Sequence, residues 1–176
     1  AVYVASGLAN TVSVIDAASN LVTTTIPVPG TPQAVAVDLA GTAAYVTKLN
    51  GSAVAVIDTT TNTVTATIPV GTNPVAIAIN TAGTTAYVAN MFSDTVSVID
   101  TASNTVTATI PVGTRPRGVA VNPAATAAYV ISFNLGTVSV IDTFTNTVVA
   151  TIAVGGLPIG VAVDPSGTTV YVTNYG

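Results

Sequence analysis

Seven aspartates are the whole carboxylate inventory of this 176-residue chain, which contains no Glu, His or Cys. Four of them, Asp16, Asp58, Asp100 and Asp142, recur at a constant step of 42 (58 − 16, 100 − 58, 142 − 100). Each is followed four positions later by an asparagine: Asn20, Asn62, Asn104 and Asn146. Carboxylates placed in this way could bind calcium or could close turns. Calcium requires several oxygens converging in one loop, and one carboxylate per loop supplies too few. The turn reading is therefore expected, with Asp and Asn side chains accepting hydrogen bonds from nearby backbone amides. A chain without imidazole or thiol has no ordinary general base near neutral pH and cannot form a Ser-His-Asp triad. It also lacks the usual nitrogen and sulfur ligands of zinc and haem. No catalytic, cofactor-binding or metal-binding residue is expected.

The elements that carry these residues follow from the same period. Tyr3, Tyr45, Tyr87, Tyr129 and Tyr171 also recur at a step of 42 (45 − 3, and so on), and no insertion breaks the register. Residues 1–168 are four whole repeats (1–42, 43–84, 85–126 and 127–168), and 169–176 begin a fifth. Each repeat contains four short runs rich in Val, Ile, Thr and Ala, separated by turn residues. In the third repeat these are VAIAI (75–79), TTAYVAN (84–90), TVSVID (95–100) and TVTATIPV (105–112). Alternation with period 2 and β-branched residues predicts strands throughout. Pro27, Pro69 and Pro111 lie inside the last run, which places it at a sheet edge, because proline cannot donate to a ladder. The uniformly apolar run with small alanines is expected innermost. The strand tyrosines are expected in the core. The fold class predicted is all-β: a β-propeller of four 42-residue repeats, each a four-stranded antiparallel blade, plus one surplus strand. An open solenoid of hairpin sheets is the alternative. One domain is expected over 1–176.

The words AYVAN (86–90), TVSVIDT (95–101), TNTVTATIPVGT (61–72) and PRGVAVNP (116–123) resemble the YVTN family of β-propeller repeats, and residues 171–174 spell its signature. The resemblance covers the whole chain. It implies a propeller of a kind often found in surface-layer or secreted proteins, and its members typically look seven-bladed. More distantly it points to lactonase-type propellers and to the propeller of cytochrome-type nitrite reductases. No residue here matches the chemistry of those enzymes.

If strands run from inner to outer, loops alternate between the two faces of the disc. Three cations, Lys48, Arg115 and Arg117, map to one face, with Asn90, Met91, Phe92, Phe133 and Leu135, and with Leu49 and Leu157. All the aspartates except Asp94 map to the other. The mixed cationic and apolar face is the candidate interaction surface, since variable loops on a rigid scaffold are where binding residues gather. Asn50-Gly51-Ser52 is a formal N-glycosylation sequon on that face. Phe92 and Phe133 could also stack on a glycan, with Asn90, Asn134 and Asp94 as polar partners.

A formal charge of −4, from 3 basic and 7 acidic residues, argues against nucleic acid as a partner. No uninterrupted run of about 20 apolar residues is present, so membrane insertion is not expected. The expected partners are a second copy of the chain, in a homo-oligomer or filament, or another surface protein. A glycan is a further possibility. The expected location is extracellular, at the cell surface. The chain begins with neither Met nor a leader pattern. VYVTNYG (170–176) repeats the AVYVASG (1–7) that opens it. That surplus strand suggests a longer array or pairing between chains. A ring closed within one chain would pair the inner strand at 159–163 with strand material from the N-terminus.

Overall fold

The computed structural model describes residues 1–175, and every regular element but one is a strand. The first sheet holds β1 (Val2–Ser6), β2 (Thr11–Asp16) and β3 (Leu21–Pro27). The second holds β4 (Pro32–Val37), β5 (Ala43–Lys48), β6 (Ala53–Asp58) and β7 (Thr63–Pro69). The third holds β8 (Pro74–Ile79), β9 (Thr85–Asn90), β10 (Thr95–Asp100) and β11 (Thr105–Pro111). The fourth holds β12 (Pro116–Val121), β13 (Ala127–Ser132), β14 (Thr137–Asp142) and β15 (Thr147–Ala153). The last pairs β16 (Pro158–Val163) with β17 (Val170–Asn174). A single 3-10 turn spans Leu49–Gly51.

Every pairing is antiparallel between strands adjacent in sequence, the meander that the turn spacing predicts. The proline-bearing strands β3, β7 and β11 are edge strands, as their missing N–H requires. Their ladders each carry a bulge opposite Val14/Ile15, Val56/Ile57 and Val98/Ile99. The residues left out of register are Thr23, Thr65 and Thr107. Each turns its hydroxyl to the partner strand, donating to the carbonyls of Val14, Val56 and Val98 at 3.2, 3.3 and 3.3 Å.

Successive sheets meet along their inner strands: β4 packs on β8, β8 on β12 and β12 on β16, while the outer strands of neighbouring sheets barely touch. Sheets that converge at the inner edge and diverge at the outer form a radial fan, so the fold is a β-propeller of repeated blades. The core lies between the blades. One cluster joins Val12, Val14, Ile26 and Val28 of the first sheet to Ala44, Val46, Ala55 and Ile57 of the second. The next two repeat this arrangement around Tyr45 and Tyr87. Fully burying a Val or Ile side chain stabilises by about 1.5–3 kcal/mol, and the second and third strands supply most of these residues. Three of the five strand tyrosines, Tyr3, Tyr45 and Tyr87, are buried as expected, but Tyr171 is 62% exposed. The hydroxyl of Tyr3 reaches Asn62 Oδ1 of the next blade at 3.3 Å.

Among the described residues the blades do not close into a ring. The inner strand β16 pairs with β17 and not with N-terminal strand material, while β1 heads its own sheet. The two copies of the repeated strand therefore do not compete for one partner. Among the described residues no core cluster joins the first sheet to the last, and the blades form an open arc.

Candidate interaction face and axial pocket

Two sets of loops meet on one side of the fan, the outer-to-inner links and the links between second and third strands. Backbone bonds join them in every repeat. The amides of Leu49, Met91, Phe133 and Tyr175 donate to the carbonyls of Thr31, Asn73, Arg115 and Leu157 at 3.0, 2.9, 3.1 and 3.0 Å. All four acceptor residues have left-handed backbone, with φ of 58, 61, 52 and 39°. Asn tolerates this conformation, but Thr, Arg and Leu adopt it at a cost of roughly 1–2 kcal/mol each.

Asp94, the one aspartate on this face, is explained by its own turn. Its Oδ1 accepts from the Arg115 amide at 2.8 Å, and Asn10, at the equivalent position one repeat-pair earlier, accepts from Gly30 and Thr31. Each serves as an acceptor that folds the outer-to-inner link, so Asp94 has a structural role although its charge is the exception to the division between faces.

The candidate residues separate into distinct environments. Arg115 and Arg117 are exposed, Phe92 and Leu135 are 58% and 57% exposed, and Met91, Phe133 and Lys48 are half-buried. Asn50 is exposed, although its Nδ2 donates to Thr31 Oγ1 at 2.8 Å. Asn90 does not belong to the surface. It is fully buried at the end of β9, where its Nδ2 donates to Ser97 Oγ at 2.9 Å and Thr95 Oγ1 at 3.2 Å. The strand end turns this position inward between blades, so it cannot contact a partner. The guanidinium carbon of Arg117 lies 4.7 Å from the Phe133 ring centroid, and that of Arg115 lies 5.9 Å from Phe92. Both are cation–π distances.

A cavity of about 610 Å³ opens at the axial mouth of this face, lined by Gln33, Val75, Arg117 and Ile159, by Leu49, Met91, Phe133 and Tyr175, and by Asn73. The first four occupy one position of the repeat (75 − 33, 117 − 75, 159 − 117), and the second four occupy another (91 − 49, 133 − 91, 175 − 133). Each member of the first set follows the proline that opens an inner strand, and it falls where the ladder shifts register: Pro32/Val35, Pro74/Ala76, Pro116/Gly118 and Pro158/Gly160. A bulge re-aims a side chain that regular alternation would place elsewhere. The sequence had already drawn attention to Arg117, Met91, Phe133 and Leu49. Gln33, Asn73, Val75, Ile159 and Tyr175 were missed. The signal that would have found them is divergence at a fixed repeat position beside an unvarying proline.

The opposite face is made of turns. The four hairpin aspartates accept from the amides two or three residues on, for example Asp16 Oδ1 from Ser19 at 2.7 Å and Asp142 Oδ1 from Thr145 at 2.8 Å. These bonds hold the carboxyls below the usual aspartate range. The paired asparagines act differently from expectation. Asn20, Asn62, Asn104 and Asn146 supply left-handed backbone, with φ of 57, 55, 54 and 54°, rather than side-chain bonds to amides. The side-chain carbonyls of Asn104 and Asn146 have no partner. At the other turn of each blade, Asp38, Asn80, Asn122 and Asp164 each accept from backbone amides just downstream. Asn serves there as well as Asp, so the turn needs an acceptor and not a charge. Among the described residues no three acidic side chains gather as a metal site would require.

No family model matches the chain, and no curated protein does. Solved structures match widely. A chain of hydrazine synthase from Kuenenia stuttgartiensis is 29% identical, with a TM-score of 0.78, over 82% of this chain and 42% of that one. A functionally unknown protein from Desulfotomaculum acetoxidans superposes with a TM-score of 0.85 at 20% identity, over 98% of this chain and 58% of that one. The chain thus spans about half the length of these two structures. In all, 1147 chains of known structure match, so the architecture selects no function by itself.

Proposed function

We propose that the chain is a non-catalytic propeller scaffold of the YVTN surface-layer or secreted kind, acting at the cell surface through association with further copies of itself. The observation that carries this reading is the separation of charge between the two faces. Lys48, Arg115 and Arg117 rise from the loop face with Phe92 and Leu135, while Asp16, Asp58, Asp100 and Asp142 crown the hairpins of the other. Stacking the cationic face of one molecule on the anionic face of the next pairs these charges and covers exposed Phe92 and Leu135. A contact of this kind is heterologous and propagates as a filament. The lack of His, Cys and Glu keeps the reading non-catalytic. The glycan reading receives less support, because a guanidinium group already covers one face of both Phe92 and Phe133.

Light scattering across protein concentration and salt tests the proposal. Association should grow with concentration, weaken between low and high salt as the ~10 Å Debye length at 0.1 M shrinks, and disappear in the Arg115→Glu/Arg117→Glu double variant. A monodisperse monomer under all these conditions would overturn it.

A further inference from the structure

We infer that the axial cavity is a binding site for a small organic carboxylate with an apolar, preferably aromatic, body. This inference is independent of the self-association proposed above.

Within each repeat most positions are copied almost unchanged: the prolines at 32, 74, 116 and 158, the strand tyrosines and the hairpin aspartates. The two positions that line the cavity are not. One reads Gln, Val, Arg, Ile and the other Leu, Met, Phe, Tyr. The scaffold around them is fixed all the same. The same backbone hydrogen bond anchors Leu49, Met91, Phe133 and Tyr175, and a register shift after the same proline aims Gln33, Val75, Arg117 and Ile159. A constant frame carrying eight different side chains towards one space is the arrangement expected of a site shaped to an asymmetric molecule. The left-handed Thr31, Arg115 and Leu157 at its rim add to this, since strained backbone gathers at ligand sites.

The lining indicates what would bind. The volume of about 610 Å³ falls within the roughly 300–1,000 Å³ of small-molecule sites. Leu49, Val75, Met91, Phe133, Ile159 and Tyr175 offer an apolar and aromatic wall. Among the described residues Arg117 is the one charged group of the lining, and none of them brings a carboxylate to neutralise it. Phe133 engages the guanidinium through its ring, while the planar fork of N–H groups is the geometry that grips a carboxylate. Lys48 and Arg115 lie outside the lining, so a single cation favours a monoanion over a phosphate ester. Asn73, whose Oδ1 is buried without a partner, and Gln33 are placed to select polar groups on the body.

Calorimetric titration of the full chain with 1-naphthylacetate and with its neutral amide, 1-naphthylacetamide, tests the inference. The acid should bind more tightly than the amide. Arg117→Gln should weaken the acid on the order of 10- to 100-fold, the loss of a charge-assisted hydrogen bond, and leave the amide unchanged. Phe133→Ala should weaken both, and Arg115→Gln neither. Thermal melts matching the parent's would show that the variants are folded. Acid and amide binding equally to the parent, no heat from the acid at millimolar concentration, or an Arg117→Gln variant with undiminished acid affinity would each overturn it.

Discussion

Gly71→Ala should destabilise the protein although it adds a single methyl group. A Cβ built on Gly71 would lie 2.6 Å from Asn90 Cγ, 2.7 Å from its Nδ2 and 2.8 Å from its Cβ. Contacts this close force a shift. Asn90 is fully buried and held by hydrogen bonds to Thr95 and Ser97, so moving it forfeits both. At about 0.5–1.5 kcal/mol each, the two bonds set the cost at roughly 1–3 kcal/mol. The substitution also stiffens the unfolded chain, which returns about 0.4–1 kcal/mol. A net loss of about 1–2 kcal/mol is expected. Gly156→Ala is the matched control, because nothing lies within 4 Å of a Cβ there. It should be neutral or slightly stabilising. Equilibrium urea unfolding of the two variants beside the parent measures the difference. A Gly71→Ala protein as stable as Gly156→Ala would refute the packing of Asn90 between blades, and with it the removal of Asn90 from the interaction face.

Three further outcomes follow from the same structure. Ile99→Ala, at a fully buried site between the second and third sheets, should cost about 2–5 kcal/mol in urea unfolding. Asp142→Asn should lower stability less than Asp142→Ala in the same assay, since Asn still offers an acceptor to the Thr145 and Phe144 amides and lacks only the charge. The carboxyls of Asp16, Asp38, Asp58, Asp100, Asp142 and Asp164 are all stronger acids in the folded chain than in the unfolded one, their pKa values being lowered by hydrogen bonds from their turns. Their stabilisation is therefore present above about pH 4 and lost as pH falls through the lowered values. With no His in the chain, the melting temperature should be flat from about pH 5 to 8 and fall in acid.

The strands were legible because alternation and β-branching state them directly, and Pro69 and Pro111 named the outer edge because a missing donor has one place to go. The hairpin aspartates were equally readable, since a carboxylate just before a turn has amides within reach. What could not be read depends on departures from regularity. Asn90 looked like a loop residue, yet the ladder continues through it to Thr95 and carries its side chain inward. The pocket was only partly visible because Gln33, Val75, Arg117 and Ile159 lie on bulges, where counting by two fails. Tyr175 enters it only because β17 takes the second place in a blade with β16, a choice between two like strands that the sequence left open.

The claim on which most depends is that ligand contacts gather at the axial mouth of the loop face. Nuclear magnetic resonance of the isotopically labelled chain, titrated with 1-naphthylacetate, tests it directly. The amides of Val75, Arg117 and Ile159 and of Leu49, Met91 and Phe133 should shift together and saturate together, while those of the Asp58 and Asp142 hairpins stay still. Shifts centred on the hairpins, or scattered over the chain without saturation, would contradict the account.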